Sequence, residues 1–335
     1  MKKKRFNIDF RELGILYALI ILLVVLYATN NTFRSMMIYR NILRTAAIYA
    51  TCGIGMTFAI ISGDFDLSVG SQMALGSVVF TTLLTWGVPM IVAILGVLVL
   101  GMIMGTFNGI LIAKMRIPAF IATLGMLMAY RALAQMINGS PVTVTNKTFL
   151  SLSTSKFLEV PILFWIMVVM AILGTVVLRK TKIGRNTLAI GNSKEAARIA
   201  GINVGNTQIA IYFIVGLLTA VATLLGTARN GASNYNNFSG YEFTVISAVV
   251  LGGTALAGGK GSIFTTVVAS IFLSTLNSAL PTYGVNAYVQ KVIEGCVLIF
   301  AFSINTIRST LSDIMLKRRS NRELRERLKG TSMQA

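Results

Sequence analysis

The sequence predicts an all-α, polytopic transmembrane helical bundle of about ten spans, with both termini in the cytoplasm. Three observations carry that expectation. Apolar residues make up 55% of the 335 and charged residues only 12%, about half the charged share of a soluble domain. Nearly charge-free runs of about 20 residues recur along the chain, each suited to a hydrocarbon core of about 30 Å. Basic residues outnumber acidic ones 30 to 11, and they gather in alternate connections between those runs.

Taken in order, the runs are Gly14–Thr29, Leu43–Ile61, Leu67–Trp86, Val88–Ala113, Pro118–Ile137, Pro161–Leu178, Gln208–Ala228, Phe243–Ala257, Ile263–Thr282 and Tyr288–Ile307. The first follows MKKKR and lacks a small-residue cleavage pattern after Thr29, so it reads as an uncleaved span rather than a leader. The third and eighth are rich in Gly, Ser, Thr and Ala, which makes either a candidate for a broken or re-entrant helix. Such backbone survives at membrane depth only where protein or a water-lined cavity satisfies it. The chain divides into a basic N-terminus (1–13), a transmembrane domain (14–307) with a polar central loop (179–207), and a basic tail (308–335).

Charge orients this arrangement. Twenty-two of the 30 basic residues fall on one side of a ten-span layout. They are Lys2, Lys3, Lys4, Arg5 and Arg11, then Lys114 and Arg116, six in the central loop from Arg179 to Arg198, Lys260, and eight from Arg308 to Lys329. Positive connections stay in the cytoplasm. Arg34, Arg40 and Arg44 are the misfits. A net charge of +19 spread in this way marks membrane topology, not a nucleic-acid partner. The basic tail, Lys317–Lys329, reads as an anchor on anionic lipid.

Several chemistries drop out. Histidine is absent, which removes histidine triads, histidine zinc sites and histidine proton relays. Cys52 and Cys296 fall within runs, so no disulfide framework is expected. The segment GGTALAGGKGS (Gly252–Ser262) resembles a phosphate-binding loop only superficially. Thr254 stands where the first glycine belongs and Gly261 follows Lys260, so a tight turn is expected. Asp64 and Asp66 share one short segment, unlike a protease dyad, and Asp66 is expected to cap the helix starting near Leu67. No enzyme activity, cofactor or metal is expected.

The central loop, GRNTLAIGNSKEAARIAG, is the most organised polar stretch. Asn192 is expected to cap a short helix over Ser193–Ala200, with Glu195 as its reciprocal partner. Ala196, Ala197 and Ala200 give that helix a small, approachable face, and Gly201 stops it. The segment reads either as a lever for a soluble partner or as a solvated connector.

Four segments in one order and spacing decide between these readings. They are ISGDFDLSVGSQMALG (Ile61–Gly76), NGILIAKMRIPAFIATLGMLMAYRALAQMINGSPV (Asn108–Val142), GRNTLAIGNSKEAARIAGINV from Gly184, and SGYEFTVISAVVLGGTALAGGKGS (Ser239–Ser262). Together they resemble the monosaccharide branch of ATP-binding-cassette permeases, the ribose-permease type, over roughly Leu43–Ile307. The sequence departs from that pattern at Leu188, where an aromatic is usual, after Ser262, where a further glycine is usual, and at Ser278, where glycine is usual. The resemblance implies a bacterial cell-membrane subunit of a sugar importer. It implies a second permease subunit, identical or a sister, a cytoplasmic ATPase, and an extracytoplasmic sugar-binding protein. It also makes Gly191, Asn192, Glu195, Ala196, Ala197 and Gly201 the expected coupling site for the ATPase.

A sugar route needs uncharged hydrogen-bonding groups, and Asn108, Thr123, Gln135, Asn277 and Gln290 supply them in or near the runs. The same residues suit interhelical bonding. Arg131, and Lys291 with Glu294 three residues on, are ionisable groups inside runs, where such groups mark function by default; the last two can pair. Glu294 is also the candidate centre for the alternative, a secondary transporter driven by an ion gradient; a receptor or scaffold is a further rival. Asn138–Val160 and Arg229–Glu242, with Tyr235, Phe238 and Tyr241, are expected to offer an amide-and-aromatic surface on the outer side, suited to a soluble protein or to interfacial anchoring.

Overall fold

The computed structural model describes residues 14–300, 302 and 303. The basic N-terminus, the end of the tenth run and the basic tail lie outside the described residues. Within them the chain is helical nearly throughout, with two short two-stranded pairings.

Helix α1 (Gly14–Thr29) passes through a 3-10 turn at Asn31–Arg34 into α2 (Met36–Ile61). Asn30 and Ser35 cap these elements by accepting from the Thr32 and Met37 amides. Helix α2 begins at Met36 and not at Leu43 because the cations that interrupt the apolar run are accommodated. Arg40 pairs with Glu159, Arg44 donates to Asn41 Oδ1 at 3.0 Å, and Arg34 lies 6.0 Å from the Tyr27 ring centre. The misfits of the charge pattern thus have local partners.

The chain continues through α3 (Val69–Thr85), α4 (Met90–Ala113), α5 (Ala119–Ile137), α6 (Lys147–Thr154) and α7 (Ile162–Lys180). Two helices fill the central loop, α8 (Lys182–Asn192) and α9 (Lys194–Ile199). Then come α10 (Val204–Asn230), α11 (Tyr241–Leu251), α12 (Ile263–Thr282) and, at the end of the described residues, α13 (287–300). Strands β1 (Val142–Thr143) and β4 (Ala232–Ser233) pair antiparallel, as do β2 (Lys156–Phe157) and β3 (Val160–Pro161).

Among the described residues, α2, α4, α5, α7, α10 and α12 are long and apolar enough to cross a membrane. Helices α1, α3 and α11 are apolar but shorter. The eighth run is not the helix over Phe243–Ala257 that hydropathy predicts. Its 11 helical residues end at Leu251 and reach roughly 16 Å at 1.5 Å per residue, about half a hydrocarbon core. Glycine explains the stop: Gly253, Gly258 and Gly259 all take positive φ in a compact turn, closed by the Ala255 amide donating to the Lys260 carbonyl at 3.0 Å. This is the tight turn expected in place of a phosphate loop.

Helix α2 is the axis of the bundle, buried along most of its length between α7, α10, α11 and α12. Helices α4, α5 and α7 instead point Leu95, Ile103, Leu124, Met128, Ile172 and Leu173 outward. Association in lipid gains little from apolar burial, so close backbone packing carries it. Helices α4 and α10 show how. Gly101, Gly105 and Gly109 recur every fourth residue on α4, and a Cβ at any of them would strike α10 near Gly216, Tyr212 or Ile209. The two backbones are therefore in contact, with Gly216 contributing the matching gap.

The bundle has two polar ends. One gathers the α2 C-terminus, α8, α9 and the 252–262 turn, where the Gly259 amide donates to the Ile61 carbonyl at 2.8 Å. The other gathers the β1–β4 pairing, the Arg40–Glu159 pair, and Asn30, whose Nδ2 donates to Thr282 Oγ1 at 2.9 Å.

Candidate functional site

The central loop is two capped helices joined at a corner. Thr181 accepts from the Gly184 amide at 3.3 Å and starts α8. Its inner face, Gly184, Thr187 and Ile190, is buried at helical spacing. Helix α9 starts one residue later than a cap at Asn192 requires. Ser193 Oγ accepts from the Ala196 amide at 3.1 Å, while Asn192 belongs to the last turn of α8 and donates to the Leu188 carbonyl at 2.8 Å. Glu195 therefore does not close a capping box. It faces outward and pairs with Arg198 at 3.3 Å, an exposed contact of small energetic weight. Gly201, at φ +79°, ends the helix as expected, and the Ile202 amide returns to the Ala197 carbonyl at 3.0 Å.

The alanine face divides. Ala197 is buried and seats α9 on the bundle, whereas Ala196 and Ala200 are exposed. Beside them Ile199 is 80% exposed, a large apolar side chain on a polar loop, which sequence reasoning passed over. Gly191 is fixed by what lies beneath it: a Cβ there would run into the Ile61 carbonyl oxygen and the Gly259 amide. The corner between α8 and α9 thus lies on the backbone of the α2 end and of the glycine turn.

A side-chain latch reinforces this seat. Asp64, in the α2–α3 connection, is buried. Its carboxylate accepts from Lys194 Nζ on α9 at 3.2 Å and from Gln208 Nε2 on α10 at 2.7 Å. It joins three elements instead of facing solvent. Two residues on, Asp66 is fully buried and accepts from the Ser68 amide at 2.8 Å, from Ser68 Oγ at 2.6 Å, and from Gln72 and Asn108 at 3.1 Å each. Burial pushes its carboxyl up from the usual range, and the Ser68, Asn108 and Gln72 bonds draw it back. Tyr130 on α5 extends the network by donating to Asn108 Oδ1 at 3.1 Å. The two aspartates serve separate networks and do not face each other as a dyad. Asp66 satisfies the Ser68 amide just ahead of α3, close to the capping role expected of it.

The candidate pathway residues scatter. The Asn108 Nδ2 group donates to Asp66 and to Ser68 Oγ, and its side chain is fully buried. Thr123 is buried and donates to its own helix at Ala119. Gln135 is exposed at the end of α5. Gln290 donates to the Val285 carbonyl at 2.7 Å. Asn277 and Glu294 do come together, at one wall of a cavity between α11, α12 and α13. Lys291 lies there too, without closing on Glu294 as an ion pair.

The expected aromatic docking surface is largely internal. Arg131 donates to the carbonyls of Tyr235 at 2.6 Å and Asn237 at 2.8 Å, pinning the segment that follows β4. Phe238 is buried against Gly226, and Tyr241 meets both Tyr49 and Phe238 edge-on, at 5.0 and 5.2 Å. These rings anchor the entry to α11. No cluster of metal-ligating side chains occurs among the described residues.

Residues 38–302 match the family described as the permease component of branched-chain amino acid transport systems. The chain is 35% identical over 295 residues to the ribose import permease protein RbsC of Escherichia coli K12, covering 87% of this chain and 92% of the relative. It is 36% identical over 313 residues to RbsC of Bacillus subtilis 168, covering 92% and 97%. It is 30% identical over 329 residues to the galactose/methyl galactoside import permease protein MglC of E. coli K12, covering 92% and 98%. No solved structure matches the chain. The resemblance carried by the four sequence segments is borne out by these relatives: the chain belongs to this family of transport-system permease components.

Proposed function

We infer that this chain is the membrane-spanning permease subunit of a bacterial ATP-binding-cassette importer for a monosaccharide. It sits in the cell membrane as ten spans with both termini inside, beside a second permease subunit, and forms the route through which the sugar passes. A separate ATPase supplies the energy and an extracytoplasmic binding protein supplies the substrate. The observation that supports the coupling role most directly is the placement of α9. It is short, carries the exposed Ile199, Ala196 and Glu195, and is joined through Lys194 to Asp64 in the α2–α3 connection.

The mechanism follows from that placement. A partner that grips the exposed face of α9 displaces a helix held by its buried Ala197, by the Gly191 corner and by Asp64. Asp64 and Gln208 pass the displacement to the α2–α3 connection and to α10. The helices then shift as packed bodies, and the loaded binding protein favours one of the two arrangements by binding it better. The chain supplies geometry and a polar lining and performs no covalent chemistry.

Ile199→Asp combined with Glu195→Lys tests this reading. The variant is expected to insert normally, to lose co-purification with the ATPase in mild detergent, and to lose uptake at least tenfold. Uptake at the wild-type rate refutes the coupling assignment. Uptake that needs no ATPase but collapses with an ionophore selects the ion-driven alternative.

A further inference from the structure

A second place where polar side chains gather lies outside the α8–α9 loop. A half-open cavity of about 380 Å³ is bounded by the start of α11, the C-terminal half of α12 and α13. That volume is at the small end of the range for ligand pockets, about 300–1,000 Å³. Its wall carries Phe243, Thr244, Ser247, Asn277, Lys291 and Glu294. Behind it, the Tyr49 hydroxyl and the Glu294 carboxyl both stand beside the Asn277 amide. Tyr49 is itself held edge-on by Tyr241. The polar groups therefore sit on a fixed frame.

We propose that this cavity is a transit site for the sugar, gripping one uncharged polyhydroxylated ring. The proposal rests on the functional reading above and assigns its substrate contacts. Charge decides the ligand class first. A lone carboxylate would select a cation and a lone ammonium an anion, but Glu294 and Lys291 balance each other across the opening. Neutral groups decide next. The Ser247 hydroxyl donates to the Phe243 carbonyl at 2.8 Å, which leaves its oxygen free to accept. Thr244 is placed likewise, reaching the Gly240 carbonyl at 3.5 Å. These acceptors, with the Asn277 amide and the Glu294 carboxyl, suit a ligand that presents several hydroxyls at once. A branched-chain amino acid would use the two charges but leave the neutral acceptors facing an apolar side chain, at a desolvation cost. Phe243 adds an aromatic wall for the C–H face of a ring. The site binds through neutral hydrogen bonds in place of fully paired charges, which allows release as well as capture.

The test uses the full transporter, with its ATPase and binding protein, reconstituted in liposomes and supplied separately with ribose, galactose and leucine. Glu294→Gln is expected to lower the sugar moved per ATP hydrolysed at least tenfold. Asn277→Ser, which shortens one contact, is expected to change the ribose-to-galactose uptake ratio threefold or more. A purely structural defect would reduce hydrolysis and uptake together and both sugars alike, leaving those ratios unchanged; that result overturns the transit site. Wild-type transporter that accumulates leucine and neither sugar overturns the functional reading itself, which separates the two failures.

Discussion

At the proposed coupling end, which holds α8 and α9, the Asp64 carboxylate accepts from Lys194 and Gln208, that of Asp66 accepts from Ser68, Gln72 and Asn108, and Gly191 lies directly on the Ile61 carbonyl. In the cavity between α11, α12 and α13 the reverse holds. Lys291 and Glu294 face a common space without joining, and Thr244 and Ser247 keep acceptor capacity in hand. Both regions are polar and both belong to one membrane bundle, yet in one the carboxylates are held by several donors and in the other the two charged groups stay apart. A region that receives force must not yield locally, or the displacement is lost in side-chain rearrangement. A region that handles a passing solute must keep hydrogen-bonding capacity for it. The contrast fits the proposed division, with transmission at the first and substrate contact at the second.

Three substitutions at the coupling end sharpen that contrast. The largest effect is expected from Gly191→Val. Neither neighbour of its new Cβ can move aside, because both are backbone. Overpacking of this kind costs about 3 kcal/mol, so detergent thermal denaturation should show a clear fall in Tm, and uptake should be lost. A variant with wild-type Tm would break the picture of a closed seat. Next comes Asp64→Ala, which strands Gln208 and releases Lys194. The stability loss is about 1 to 2 kcal/mol, weighted towards Gln208 because the Lys194 side chain is 48% exposed. The distinguishing readout is sugar moved per ATP: it should drop several-fold while the ATPase still co-purifies, and an unchanged ratio would remove Asp64 from the transmission path. Smallest is Arg198→Ala, which breaks the exposed pair with Glu195. Stability should change by less than about 0.5 kcal/mol, and a larger shift in Tm would mean that the outer face of α9 bears on the bundle.

The positions of the apolar helices were readable because lipid imposes a simple rule of length and charge, and six of them are long and apolar enough to cross a membrane among the described residues. What escaped was local satisfaction. Helix α2 extends to Met36 because Glu159 and Asn41 meet Arg40 and Arg44 across space, which no sliding window detects. Helix α8 looked like loop because its residues are polar, although Thr181 as a cap and the spacing of Gly184, Thr187 and Ile190 were present as signals. The start of α9 was misread by one residue because Asn and Ser compete as caps, and Asn192 was already committed to α8. Helix α11 ended early because glycines, not hydropathy, set its end. Of the candidate site, the coupling segment was legible as a segment and its resemblance named it, but Asp64, Lys194, Gln208 and Ile199 emerge only in three dimensions. The pathway residues were legible only as types; proximity selects Asn277 with Glu294.

The glycine row at Gly101, Gly105 and Gly109 has one further implication. With no side chains between them, α4 and α10 pack backbone against backbone, and either one moving alone would give up those contacts, which favours their moving as one beam. Helix α10 begins at Val204, five residues beyond Ile199 at the end of α9. Under the proposed coupling, a tug on the short helix would reach a two-helix girder, each member long and apolar enough to cross a bilayer, and the bending it provokes would have to be absorbed elsewhere in the chain.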